Sequence, residues 1–473
     1  MTIHWMEEVE KRKDDLIHDL QRLLQIRSVR NEETASLDAP LGKEVKEALQ
    51  FMLDLGEKDG FQTKNVDHLA GHIEFGEGGD LLGILCHVDV VPEGDGWSVD
   101  PFKGEIKDGK IFARGAIDDK GPTIAAYYAM KIVKELGLPL EKRVRMIIGT
   151  DEESDWRCVK HYFQKEEMPT IGFAPDADFP IIHAEKGICD FDFIQAKEWT
   201  DDEGASVQLL SFRSGRRYNM VPDFAEAKLV VQEGSTELIQ QFQLYMKDHK
   251  LVGKAFIDNG ELTLQLEGVS AHGMEPNNGR NAGIYLANFL SSFSLDRYGA
   301  HYVQWITDYF YEDSRGKKLG ISYADDITGD VTLNVGKMEY KKGERGRIGV
   351  NMRYPVTFSY EEGMKTIHQK AQEEDFIVEV IDHSPPHHVA KDHELIQTLR
   401  HVYEQHTGDR SEPLAIGGAT YARSLKSGVA FGALFPGRED VAHQKDEYMF
   451  IEDLLKATGI YAHAIYELAG KKS

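Results

Sequence analysis

The chain has 473 residues, 41% hydrophobic and 29% charged, an ordinary mix for a soluble globular protein of two or three domains. Its net charge of −25 repels phosphate backbones and anionic lipid, which argues against a nucleic-acid or membrane partner. Three scattered cysteines give no disulfide framework and fit a reducing compartment. No basic start followed by an apolar run marks a secretory signal, and no stretch reaches the roughly 20 apolar residues of a membrane helix. The expected location is the cytoplasm.

In chain order, residues 5–25 carry Val9, Leu16, Leu20, Leu23 and Leu24 at helical spacing. The aliphatic run 81–91, bounded by Gly79 and Pro92, reads as a buried strand. A small hairpin is expected over 104–113. The helix after Gly121-Pro122 stacks Ile124, Tyr128, Ile132 and Leu136, and Gly137 and Pro139 stop it. A second buried strand covers 144–149, followed by a helix at 156–166 and a strand at 171–174. This alternation predicts an α/β layer with a largely parallel sheet.

The character changes near Lys186-Gly187. Strand-like segments at 206–212, 225–232, 261–267, 330–337 and 346–353 mix with helices at 234–248, 281–297 and 361–374, predicting α+β units. From 392 the α/β pattern resumes, with a helix at 393–406, a glycine-rich turn at 416–421, a strand at 428–434 and a last helix at 451–469. The expected architecture is a discontinuous catalytic domain, 1–186 plus 383–473, interrupted by a large insertion at 187–382.

Five polar constellations carry the chemistry. In His87-Val88-Asp89 the alternation of an extended chain points His87 and Asp89 the same way, where an apolar strand ends. Such a histidine suits a metal, with Asp89 fixing its ring, although alone it fits a structural loop histidine equally well. In the segment 113–121, glycines bracket Asp118-Asp119 ahead of a helix; one carboxylate there can bridge two cations, or simply cap the helix. Asp151-Glu152-Glu153 places three acids directly after a buried strand, a repulsion that a cation relieves. One of these glutamates can ligate while its neighbour acts as general base. Asp176 follows the strand at 171–174, and His443 lies late in the chain among polar residues. Each signal is weak singly. Together they give an imidazole and carboxylate set suited to paired Zn²⁺ or Mn²⁺.

The order His-x-Asp, Arg-Gly-x-x-Asp-Asp-Lys-Gly, Asp-Glu-Glu, Pro-Asp and a late histidine resembles the metallopeptidase family of aminoacylases, carboxypeptidase G and PepV-type dipeptidases. The resemblance spans the chain. The segment Phe-Ala-Pro-Asp-Ala-Asp-Phe-Pro, the Glu-Lys-Gly segment and the long insertion are similar to the PepV branch. It implies a zinc-exopeptidase catalytic domain with a two-lobed α+β lid, working as a monomer on a small peptide. It further implies that Asp118 bridges two divalent metals, most simply zinc, with manganese or cobalt as alternatives. His87 and Asp176 would complete one site, and Glu153 and His443 the other. Glu152 would be the general base on the metal-bridging water and Asp89 would orient His87. His272 matches a lid histidine that stabilises the oxyanion, and Arg353 a lid arginine that binds the substrate carboxylate, for which bidentate geometry is suited. Gly418 and Thr420 lie in a loop that resembles a further carboxylate contact, and Asn219 is a polar lid candidate. No group for the substrate's free amine is located.

The activity implied is hydrolysis of dipeptides with a free amino terminus. The nearest rival keeps the metals but removes an N-acyl or succinyl group from an amino acid. A non-catalytic scaffold would have lost a ligand or the base, and none is lost. A two-metal phosphoesterase would need a Lys/Arg cluster for phosphate, and none stands out. The His-rich stretch 383–388 is expected to be a turn at the hinge, open to adventitious metal. Cys86, on the opposite face from His87, is expected to pack in the core.

Overall fold

The computed structural model describes residues 3–196 and 205–471. They divide into two compact units. One comprises Met1–Ala184, His388–Ala415 and Ala419–Ser473; the other comprises Glu185–His387 with Ile416–Gly418. Each has its own apolar cluster.

The first unit is built on a nine-stranded sheet. Its centre is four parallel strands in the order Arg143–Gly149, Leu81–His87, Ile171–Ala174 and Gly428–Ala430. Leu81–His87 is buried along its whole length, as its unbroken aliphatic run requires of a strand covered on both faces. Ala70–Phe75 and Gln62–Val66 extend the sheet antiparallel beyond Arg143–Gly149. The helices Lys120–Glu135 and Ile451–Ala469 are buried on nearly every side, which explains why they read as apolar almost all round. His87 pairs in register with Gly149, so the carboxyl ends of these two strands finish level. Open parallel sheets carry their sites at such ends.

The second unit is an eight-stranded antiparallel sheet in the order Val252–Asp258, Glu261–Glu267, Phe224–Val231, Val207–Ser214, Thr332–Lys341, Arg347–Tyr354, Gly187–Gln195 and Phe376–Ser384. The insertion expected as two lobes is thus joined by one continuous sheet. Ala282–Ser291 and Arg297–Phe310 bury their apolar faces in this unit's cluster, as do Ser235–Asp248 and Tyr360–Glu373.

Four local expectations are corrected. The opening helix is two pieces, Trp5–Glu10 and Lys13–Leu24, because Arg12 turns its guanidinium back onto the carbonyl and carboxylate of Glu8. The helix expected over 281–297 ends at Ser291, and a second begins at Arg297. Asp296 starts that second helix by accepting from Gly299 N at 3.0 Å and from Leu209 N at 2.6 Å. The strand at 428–434 breaks after Ala430, where Gly432 adopts φ +78° and a Cβ would stand 2.3 Å from the Phe179 ring. Finally, His383 is no turn residue. It lies in Phe376–Ser384, stacked 3.8 Å from the Tyr360 ring and hydrogen-bonded to the Tyr354 hydroxyl at 2.7 Å. Among the described residues no helix is long and apolar enough to cross a membrane.

Candidate metal centre

Six side chains of the first unit converge beyond the carboxyl ends of its parallel strands. His87 ends its strand; Glu152 and Glu153 follow Arg143–Gly149; Asp176 follows Ile171–Ala174. Asp118 precedes the helix Lys120–Glu135, and His443 sits at φ +62° in the loop before the last helix. The burial is graded: the His87 side chain is fully buried, whereas 52% of the His443 side chain is exposed.

The geometry centres on Asp118. Its Oδ1 lies 3.1 Å from His87 Nε2, and its Oδ2 lies 3.0 Å from His443 Nε2. Asp176 Oδ1 approaches His87 Nε2 at 3.7 Å, and Glu153 Oε1 approaches His443 Nε2 at 3.0 Å. One carboxylate therefore faces two imidazole-and-acid sets, one on each oxygen. His87 Nδ1 points the other way, 3.0 Å from the backbone carbonyl of Asp89. A proton on Nδ1 would satisfy that carbonyl and leave the Nε2 lone pair for a cation held among the acids. This donor set, hard oxygens with imidazole nitrogens arranged around a shared carboxylate, fits a pair of divalent cations. Oxygen and nitrogen atoms of His87, Asp118 and Glu153 come within 4.8 Å of one another, and so do those of His87, Asp119 and Asp176.

The electrostatics carry the same signature. Burial, reinforced by the charge of Asp176, pushes the Glu152 carboxyl well above its ordinary range. Burial, then repulsion from Asp118, raises Glu153, and burial raises Asp176 to about 6. For Asp118 burial is again the largest influence, but hydrogen bonds from His443 and His87 outweigh it and hold the group low. His443 is pushed up to about 11 by Asp118 and Glu153. Burial and mutual repulsion disfavour charge on Glu152, Glu153 and Asp176, and positive charge placed among them favours their ionised forms.

Asp89 does more than the sequence suggests. Its carboxylate is 3.4 Å from His87 Nδ1, and it accepts the backbone N–H groups of Glu152 at 3.2 Å and Glu153 at 3.1 Å. It thereby ties the acidic turn to the His87 strand. Asp119, the second of the doubled acids, accepts from the His87 backbone N–H and the Thr123 hydroxyl, both at 3.1 Å. Its other oxygen is buried without a hydrogen-bond partner.

Two supporting residues escaped sequence reasoning. Buried Glu447 accepts the N–H groups of Ile117 at 2.9 Å and Asp118 at 3.3 Å, and its other oxygen takes Arg114 at 2.5 Å. It braces the Asp118 loop from the segment that carries His443. Tyr421 is buried edge-on to the His87 ring at 5.9 Å, with its hydroxyl 3.2 Å from Cys158 Sγ. Nothing in local spacing shows that Glu447 reaches a loop 329 residues away. Thr420, expected to contact substrate, is buried just ahead of the short helix Tyr421–Ser424.

In the second unit, Asn219, His272, Arg353 and the Gly417–Gly418 segment share one neighbourhood. Exposed Asn219 accepts the Gly273 N–H on its backbone carbonyl at 2.7 Å. His272, also exposed, accepts the Met274 N–H on Nδ1 at 3.1 Å, and the Met274 carbonyl takes the Thr332 hydroxyl at 3.1 Å. Thr332 pairs across the sheet with Arg353, whose Nη1 lies 3.4 Å from the Gly417 carbonyl.

A profile of peptidase family M20/M25/M40 matches residues 83–467. "Putative dipeptidase YtjP" of Bacillus subtilis (strain 168) is 56% identical over 469 residues, covering 99% of this chain and 100% of the relative. "Putative dipeptidase SH1171" of Staphylococcus haemolyticus (strain JCSC1435) is 48% identical over 464 residues, 98% of this chain and 99% of the relative. Among solved structures, the aminoacylhistidine dipeptidase of Vibrio alginolyticus shares the fold at a TM-score of 0.59, with 12% identity and 97% of each chain covered. Human carnosine dipeptidase 1 does so at 0.57, with 14% identity and 98% of each covered. The chain belongs to peptidase family M20/M25/M40, whose members are divalent-metal-dependent hydrolases of peptide bonds.

Proposed function

We propose that this chain is a two-metal dipeptidase that hydrolyses dipeptides bearing a free amino terminus, with Glu152 as its general base. The observation that carries the reading is the Asp118 carboxylate, which presents one oxygen to His87 and Asp176 and the other to His443 and Glu153. Relatives at 56% and 48% identity carry dipeptidase names over nearly the whole chain. Two divalent cations in this donor set, when bound, supply the Lewis acidity that activates water and polarises the scissile carbonyl. Asp89 holds the acidic turn by its backbone, so Glu152 and Glu153 keep separate tasks. Glu152, outside both imidazole contacts, takes the proton of the attacking water and hands it to the leaving amine. In the second unit, the role of His272 is donation to the oxyanion, that of Arg353 is grip on the substrate carboxylate, and Asn219 and Gly418 line the same subsite.

The reading includes zinc as the metal, with manganese and cobalt as substitutes, and a monomeric enzyme of the cytoplasm. Three buried, unbridged cysteines suit a reducing compartment. A panel of free dipeptides and their N-acetylated forms tests the substrate, with metal analysis of the purified protein alongside. Free dipeptides are expected to turn over far faster, and comparable turnover of the N-acetylated forms overturns the dipeptidase assignment in favour of deacylation. Glu152→Gln is expected to cut kcat by about 10²–10⁴-fold while metal content stays at the wild-type level. Full activity in that variant removes Glu152 as the base.

A further inference from the structure

Arg353 does not stand alone on its strand. It is 5% exposed, and such a buried guanidinium needs its donors satisfied in fixed directions. Two residues earlier on the same face of Arg347–Tyr354, Asn351 Oδ1 accepts the Arg353 Nε–H at 2.8 Å. The Asn351 amide is itself fixed, because its Nδ2 donates to Asp190 Oδ1 at 2.5 Å from the neighbouring strand, where the two residues pair in register. Asn351 is 1% exposed, so neither hydrogen bond competes with bulk water. The run Asp190–Asn351–Arg353 is directional: an anionic acceptor orients an amide, and the amide's oxygen fixes one edge of the guanidinium.

We propose that Asn351, held by Asp190, is a positioning residue that aims Arg353 at the substrate's carboxylate. The inference rests on the dipeptidase reading and on the carboxylate-binding role given there to Arg353. Amide and carboxylate suit different places in this arrangement. A carboxylate directly on Nε would neutralise the guanidinium and weaken its hold on an anionic ligand. A neutral amide oxygen fixes the orientation without placing a further negative charge on Nε.

Steady-state kinetics on a free dipeptide test this, with unfolding temperature as a control. Arg353→Ala is expected to raise KM strongly. Asn351→Ala is expected to raise KM about tenfold with kcat within about twofold, the mark of lost binding that is uniform along the reaction. Adding Asn351→Ala to Arg353→Ala is expected to change KM no further, since a residue acting only through the arginine has nothing left to act on. Asp190→Ala, at a half-buried position, is expected to give a smaller rise of about threefold, and keeps the question open to test if Asn351→Ala fails to fold. The exchange Asn351→Asp with Asp190→Asn keeps both hydrogen bonds but sets the carboxylate on Nε, so KM is expected to stay raised as in Asn351→Ala. Effects of Asn351→Ala and Arg353→Ala that add in full, or wild-type KM in both Asn351→Ala and Asp190→Ala, overturn the positioning role. Wild-type KM in Arg353→Ala instead overturns the carboxylate-binding reading, and the inference falls with it.

Discussion

At the scale of single residues, the doubled Asp118-Asp119 shows how far sequence reasoning reaches. Two adjacent carboxylates could each be a bridge, and choosing Asp118 depended on a resemblance. The structure sets Asp118 between two imidazoles and gives Asp119 the His87 backbone N–H and the Thr123 hydroxyl. Asp118→Asn is therefore expected to weaken binding at both metal positions by more than the 10–100-fold typical of an outer-sphere partner, read by titrating metal-free protein with zinc. Asp119→Asn is expected to have the smaller effect. The reverse order would pass the bridging role to Asp119. His87 was legible because it ends an apolar run. Glu447 was not, because its partners Arg114, Ile117 and Asp118 lie more than 300 residues away and no local period encodes that approach.

Strand ends do most of the organising at the scale of elements. His87 and Gly149 finish level in a parallel pair, and the acidic turn begins immediately beyond Gly149. Gly149 has a packing reason to be glycine: a Cβ there would stand 1.9 Å from the Tyr421 hydroxyl and 3.2 Å from Cys158 Sγ. Tyr421 is wholly buried and cannot swing into solvent. Gly149→Ala is therefore expected to lower stability by about 1–3 kcal/mol and to displace the ring that packs against His87, reducing activity as well. Chemical denaturation checks the first effect and dipeptide turnover the second. Adding Tyr421→Phe removes the clashing oxygen and is expected to restore part of the stability. An unchanged denaturation midpoint in Gly149→Ala would show that this contact relaxes freely. Periodicity found the strand and the following turn, but not the tyrosine, which arrives from a segment more than 270 residues later. Helix boundaries slipped where side chains intervene, as Asp296 does between Ser291 and Arg297.

For the molecule as a whole, acid stability draws on a buried histidine outside the candidate metal centre. His72, in the second strand of the large sheet, is buried beside Tyr162, with the Tyr162 hydroxyl 2.8 Å from its Nδ1. Burial, helped by the positive charges of Arg145 and Lys64 and opposed by Glu167, pushes its pKa down from 6.5 to about 3. The folded protein thus keeps His72 neutral where the unfolded chain protonates it. This contribution is present above pH 6.5 and is lost as pH falls from 6.5 toward 3. By pH 5 the loss amounts to about 2 kcal/mol. His72→Gln, which keeps an acceptor for Tyr162, is expected to flatten the acid limb of stability between pH 7 and 5, measured as ΔG of unfolding. Parallel acid limbs in the two proteins would place the titrating group elsewhere.

By itself the sequence determined the α/β character, the break in pattern near residue 187 and its return near 392, because apolar periodicity and burial are local consequences of chain composition. It also determined which residue types reach the strand ends, and in what order, which is why family membership was legible. Tertiary structure alone decided what those residues meet. It divided the two oxygens of Asp118 between two imidazoles, and it made Asp89, beside the His87 ring, an anchor for the Glu152–Glu153 backbone as well. It also brought Glu447 beneath Asp118 and set Asn351 against Arg353. The physical reason is the same in each case. Hydrogen bonds and ion contacts act over about 3 Å, and only the packed fold fixes which distant segments come that close.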